Sequence, residues 1–236
     1  MTEEIFRTDS YARSCDATVI AIEDDAVVLD RTVFYPEGGG QPGDHGVLKQ
    51  SDGDAIEIID TRKGDNGIRH MVTPDAAMPP VGAKVVAEID WNRRFAHMRM
   101  HTLLHLVCAV VDGEISGAAV GAEKSRVDFN LPNTTLDKQA LTEELNRRII
   151  EDAPVAARWI TDEELEAQPE LIKTMTVRPP MGQGHIRLME IGGIDLQPCG
   201  GTHVGSLREI GEVRVSKIEN KGRHNRRVNV VFAEES

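Results

Sequence analysis

The chain has 236 residues, enough for one large domain or two modest ones with separate cores. It is 40% hydrophobic and 28% charged, and no apolar run approaches the ~20 residues that a helical membrane span needs. A formal net charge of -12 argues against nucleic acid as a partner only if that charge is evenly spread. It is not: residues 1–90 carry 8 Lys/Arg against 18 Asp/Glu, and residues 91–236 carry 19 against 21. Residues 208–228 hold seven basic side chains (Arg208, Arg214, Lys217, Lys221, Arg223, Arg226, Arg227) against three acidic ones. A phosphate backbone docks on local patches of this kind, although a solvated face explains the charges equally well. The three cysteines, Cys15, Cys108 and Cys199, make no disulfide framework, and the acidic start lacks the apolar stretch of a secretory signal. Both features suit a protein of the reducing cytoplasm.

Short apolar or alternating runs between turn signals predict strands near 18–22, 26–30, 32–35, 55–59, 68–72 and 84–89. Six such segments imply a small β-barrel or sandwich, ending near Asp90. From Trp91 to about Val111 there is no Gly or Pro, and apolar residues recur at 95, 98, 103, 106, 107 and 110, which predicts a mostly buried helix. A strand is expected at 126–130. An amphipathic helix should follow over about 136–150, with Leu141, Leu145 and Ile149 on its apolar face. Thr161-Asp-Glu-Glu164 reads as a capping box opening a short helix. Strands return at 185–191, 213–218 and 228–232. The expected fold class is therefore α+β, with an N-terminal domain over 1–90 and a second domain over 91–236.

His101-Thr-Leu-Leu-His105 places two imidazoles four residues apart on one helix face, where they can chelate one ion. Far along the chain, Pro198-Cys-Gly-Gly-Thr-His203 repeats that spacing between Cys199 and His203 in a Gly-rich loop. Three imidazole nitrogens and a thiolate suit one Zn²⁺ better than magnesium or calcium. An inert buried Cys199 and a surface His203 are the ordinary alternatives, but their joint occurrence with the helical pair favours metal. Cys108 and His97 flank the pair. Cys108 lies in the apolar run Leu106-Val-Cys-Ala-Val-Val111 and reads as core, and His97 reads as a neighbour of the site rather than a ligand. Thr102 stands where zinc proteases carry a glutamate base, so the usual means of peptide hydrolysis is missing. There is no G-x-S-x-G elbow, and Gly38-Gly39-Gly40 is not followed by the Lys-Ser/Thr of a phosphate loop. A tight turn is the simpler reading of those glycines.

Taken together, these residues resemble the editing domain of alanyl-tRNA synthetases and its freestanding AlaX-type relatives. Phe34-Tyr-Pro-Glu-Gly-Gly-Gly-Gln-Pro-Gly-Asp44, Glu123-Lys-Ser-Arg-Val-Asp-Phe129 and the segment from Ile210 to Gly222 are similar to the same family. The resemblance runs with gaps from about residue 30 to 232, and Cys-Gly-Gly-Thr-His is its most specific element. It implies a small N-terminal β-barrel followed by an α+β editing domain of the kind shared by threonyl- and alanyl-tRNA synthetases. It also implies His101, His105, Cys199 and His203 as ligands of one zinc ion. The chain has no room for the ATP-dependent aminoacylation core, which points to the medium-length form acting in trans. The implied substrate is mischarged alanine tRNA, seryl first and glycyl second, and the implied reaction is hydrolysis of the aminoacyl ester. No feature of the sequence sets an oligomeric state.

An ester is easily cleaved, so zinc with His101 and His105, the Thr202 hydroxyl and backbone N–H groups of the 200–202 loop are expected to suffice. A site that hydrogen-bonds a hydroxyl rejects the analogue lacking it, which would spare the alanyl ester. Gly38, Gly39, Gly40, Gly200 and Gly201 are expected to line the substrate site. Lys217, Lys221, Arg223, Arg226 and Arg227 are expected to meet tRNA phosphates, with Arg93 and Arg94 as further candidates. Three rivals remain at this stage: a zinc hydrolase for another ester or for mischarged threonine tRNA, a zinc-stabilised RNA-binding module without catalysis, and a relic of an aminoacyl-tRNA ligase without ligase chemistry.

Overall fold

Alternation along two short segments already defines the inside of a barrel. Val85, Ala87 and Ile89 are buried on one strand and Ile56 and Ile58 on another, while their neighbours in sequence face outward. The computed structural model describes residues 2–51, 53–132, 134–172 and 184–233. Its strands run in order as β1 (Glu3–Glu4), β2 (Ser14–Glu23), β3 (Ala26–Leu29), β4 (Arg31–Thr32), β5 (Gly46–Gln50), β6 (Ala55–Gly64), β7 (Gly67–Val72) and β8 (Lys84–Ile89). Six of them close in the order β2-β3-β7-β6-β5-β8. Closure removes the exposed edges that an open sheet of this size would carry. Val19, Val27, Leu29, Phe34, Leu48, Ile58 and Val85 fill the interior. The fold class is α+β, with this closed barrel in the N-terminal region.

The structure departs from the sequence reading at two places in the barrel. The run Val33–Tyr35 is buried but joins no ladder. Its backbone is satisfied by side chains instead: Phe34 N–H donates to Thr32 Oγ1 (3.0 Å) and Tyr35 N–H to Asp44 Oδ2 (2.6 Å). Conversely, β5 was not expected, because Gly46-Val-Leu-Lys-Gln50 has only two adjacent apolar residues and no alternation. Pairing with β6 and β8 makes it a strand.

The chain forms two compact units, Met1–Ala96 and His97–Ser236, and the division falls inside the helix α1 (Trp91–Val110). Asp90 starts that helix by accepting the Arg93 N–H on its side chain at 3.1 Å. The second unit continues with β9 (Glu114–Ala119), β10 (Lys124–Asn130), α2 (Lys138–Glu151), β11 (Val155–Ile160), α3 (Asp162–Glu166), β12 (Ile186–Ile191), β13 (Asp195–Pro198), β14 (Val213–Asn220) and β15 (Asn225–Phe232). Its strands make a four-stranded sheet, β14-β15-β10-β9, and a three-stranded one, β11-β12-β13. Every pairing in both is antiparallel. Helix α2 buries Leu141, Leu145 and Ile149, and Asp137 caps it through the N–H groups of Gln139 and Ala140. Thr161 and Glu164 form the reciprocal capping box of α3. No helix of the described residues is long and apolar enough to cross a membrane.

Candidate metal centre

Two elements of the second unit bring four donor side chains together. On α1, His101 and His105 lie one turn apart, both buried, with ring centroids 5.3 Å from each other. The other pair leaves the end of β13. The β12–β13 ladder closes with Cys199 N–H donating to Arg187 O at 3.0 Å, and the chain then turns away through Gly200 and Gly201. The returning loop is pinned to α1 where Val204 N–H donates to Thr102 Oγ1 at 3.2 Å. His203 is thereby set beside the helical pair, its ring tilted against His101 at 4.3 Å between centroids and edge-on to His105 at 4.6 Å.

One ligand atom from each of His101, His105, Cys199 and His203 lies within 4.8 Å of all the others. Cys199 Sγ is 3.5 Å from His101 Nε2 and 3.3 Å from His203 Nε2. Tetrahedral zinc, with bonds of about 2.0–2.1 Å to nitrogen and about 2.3 Å to sulfur, sets those atoms roughly 3.5 Å apart. The donor chemistry and these two sulfur–nitrogen separations suit a metal ion such as zinc. Cys108 and His97 are not members of the group.

The electrostatics of the four residues favour the thiolate that a metal requires. Burial opposes ionisation of Cys199, yet the charges of His101, His203 and His105 hold its thiol well below the ordinary value. Burial also works against a charged His105, but the Cys199 sulfur and the Asp195 carboxylate raise it to about 9. For His203, burial and the neighbouring His101 charge push it down to about 3.

An outer layer holds these ligands, and it is the part sequence reasoning missed. Asp195 Oδ2 stands 3.4 Å from His105 Nδ1, an ion-pair contact longer than a normal hydrogen bond, and Gln197 Nε2 donates to the same oxygen at 2.7 Å. Arg187 sends one guanidinium nitrogen to two carbonyls of the ligand loop, Cys199 O (2.9 Å) and Gly201 O (2.8 Å). All three are buried polar residues on β12 and β13. Asp195 and Gln197 are two apart on one strand, so a strand reading of 195–198 would have put both on one face. Partners of this kind orient metal ligands.

Several other expected site residues are placed as follows. Thr202 is fully buried in the ligand loop. Gly201 N–H lies 3.4 Å from Cys199 Sγ and donates to it. In the first unit, Gly39 and Gly40 have φ of +58° and +82° between Gly38 and Gln41, whose backbones bond each other at 3.1 and 3.0 Å. That is a tight two-residue turn, and glycine adopts the positive φ it needs at both central positions without steric cost.

The basic stretch is partly neutralised. Lys217 and Lys221 share the Glu219 carboxylate at 3.0 and 3.4 Å. Arg227 pairs with Asp128 at 2.7 Å, and Arg226 Nε donates to Thr134 O at 3.0 Å, while Arg223 is exposed. Arg94 does not belong with them. It is entirely buried, with Nε 3.1 and 3.0 Å from the two Asp44 oxygens and donations to Ser10 O and Val33 O, so it cannot reach a phosphate. Arg93 turns its guanidinium to Gly43 O at 3.3 Å.

Comparison with known proteins places the chain in a family. An alanyl-tRNA editing protein AlaX-M of Methanosarcina acetivorans is 40% identical over 97% of this chain and 98% of its own length. The chain belongs to the alanyl-tRNA editing family. A second member, the AlaX-M protein of Saccharolobus solfataricus, is 38% identical over 97% of this chain and 98% of its own. An alanine–tRNA ligase of Pyrobaculum neutrophilum is 40% identical over 92% of this chain, which covers 25% of that ligase. Residues 5–93 match the class II (A) tRNA synthetase family, and residues 186–229 match the second additional domain of threonyl and alanyl tRNA synthetases. In this editing family member the matched segment 186–229 contains Cys199 and His203, together with Arg187, Asp195 and Gln197.

Proposed function

We propose that this chain is a trans-acting deacylase that hydrolyses the ester linking a wrong amino acid to alanine tRNA, serine first and glycine second. The observation that carries the reading is the convergence of His101, His105, Cys199 and His203 within 4.8 Å, in a chain matched end to end by alanyl-tRNA editing proteins. His101, His105, Cys199 and His203 would hold one zinc ion. When bound, zinc supplies Lewis-acid polarisation of an ester carbonyl or of a hydroxyl beside it. The protein supplies the positioning. Arg187 fixes the ligand loop through two carbonyls, and α1 fixes the imidazoles at helical spacing. Thr202, on that loop, is the side chain we assign to recognition of the serine hydroxyl. Alanine offers no hydroxyl for such a contact, and a site that hydrogen-bonds a hydroxyl rejects the analogue lacking it. Lys217, Lys221, Arg223, Arg226 and Arg227 are proposed to meet tRNA phosphates.

The test is release of labelled serine, glycine and alanine from alanine tRNA by the purified chain, with and without a zinc chelator. Serine release that stops on chelation and returns with zinc is the expected result, with alanine retained. Four protein donors can also close a tetrahedral site as a purely structural one. In that case the native protein binds alanine tRNA yet releases no amino acid from any of the three esters, and the deacylase reading fails.

A further inference from the structure

Thr102 lies between the two helical histidines, and the function proposed above gives it no task. Its buried hydroxyl meets three groups: Met98 O at 2.9 Å, Val204 N at 3.2 Å and His203 Nδ1 at 3.1 Å. A hydroxyl has one proton and two lone pairs. The Met98 carbonyl can only accept, so it takes the proton. The Val204 N–H can only donate, so it occupies one lone pair. What remains for His203 is the second lone pair, and the 3.1 Å contact is a hydrogen bond only if Nδ1 carries the ring's proton.

We infer that Thr102 is a positioning residue that sets the Nδ1–H tautomer of His203, leaving Nε2 bare beside Cys199 Sγ and ready to coordinate a metal ion. The distance of 3.3 Å between that nitrogen and Cys199 Sγ places the bare lone pair inside the four-residue group. A neutral histidine whose proton sits on the wrong nitrogen points N–H, not a lone pair, at the ion. The same oxygen ties the ligand loop to α1 through Val204, so one hydroxyl couples loop position to ring chemistry. This rests on reading the group as a metal site, which the two measurements below separate.

The first is long-range ¹H–¹⁵N correlation of the imidazoles in the metal-free, ¹⁵N-histidine-labelled protein. His203 is expected in the Nδ1–H form, and a proton on Nε2 would overturn the inference whether or not Thr102 variants fold. The second is zinc affinity, by competition with a chromophoric chelator, for the native chain, Thr102→Val and Thr102→Ser. Thr102→Val should lose roughly 10–100-fold and mix the His203 tautomers, while Thr102→Ser should restore both. A valine variant with native tautomer and native affinity refutes the role, as does a serine variant that restores neither. If the native chain binds no zinc, the metal reading fails by itself, and the ring spectrum still decides what Thr102 does.

Discussion

His70 should make the barrel acid-sensitive, by an amount that can be worked out. The side chain is fully buried on β7, with Nδ1 donating to Val27 O (3.0 Å), Nε2 accepting from the Thr32 hydroxyl (2.8 Å), and its ring edge-on to Phe34 at 5.1 Å. Burial, which penalises the imidazolium, lowers it from 6.5 to about 4. Both states are neutral above 6.5, so full stability is present there. As pH falls below 6.5 the unfolded chain takes up a proton that the folded chain refuses until about 4, and stability is lost over that window. At 1.36 kcal/mol per unit, the linkage removes about 2 kcal/mol by pH 5 and about 3 kcal/mol by pH 4. His70→Gln cannot titrate. Any packing loss in that variant is a constant offset, so the informative quantity is how its difference from the native chain changes with pH. Urea unfolding followed by Trp91, which packs on the barrel core, gives that difference when the exposed Trp159 is replaced by Phe. The stability advantage of His70 over Gln should shrink by about 2 kcal/mol between pH 8 and pH 5. Parallel curves over that range would show that the reasoning is wrong.

Two other perturbations have defined outcomes. Asp44→Ala leaves the Arg94 guanidinium buried without its carboxylate, and urea unfolding should register a loss of roughly 3–5 kcal/mol; a loss below 1 kcal/mol would mean that water reaches the site. Glu219→Gln releases Lys217 and Lys221 from their shared partner, so binding to alanine tRNA should tighten and its salt dependence steepen; an unchanged salt slope removes both lysines from the proposed phosphate contacts.

Much of this architecture could be read from local pattern because local physics dictates it. The helix from Trp91 follows from a breaker-free apolar run, and α3 from a capping box whose two hydrogen bonds lie within four residues. The N-terminal strands were legible as short runs bounded by turns, a pattern that a barrel and a sandwich share. Strand β5 was not, since its pairing partners, and not its own side chains, make it a strand. Arg94 looked like one more cation in a basic helix start. Only the folded chain puts Asp44 against it, and a charge count is blind to such pairing.

At the candidate metal centre, residue type and spacing were enough to single out His101, His105, Cys199 and His203 as a group that could hold a metal ion, because ligand chemistry restricts the choice to a few side chains. Convergence of the two segments, 94 residues apart between His105 and Cys199, is a property of the tertiary structure alone. So are the roles of Asp195, Gln197, Arg187 and Thr102. Their side chains occur throughout any soluble sequence, and nothing local distinguishes a carboxylate that orients an imidazole from one that faces water. Sequence determined which atoms can bind a metal ion. Folding decided which polar groups, buried where water cannot replace them, hold those atoms in place.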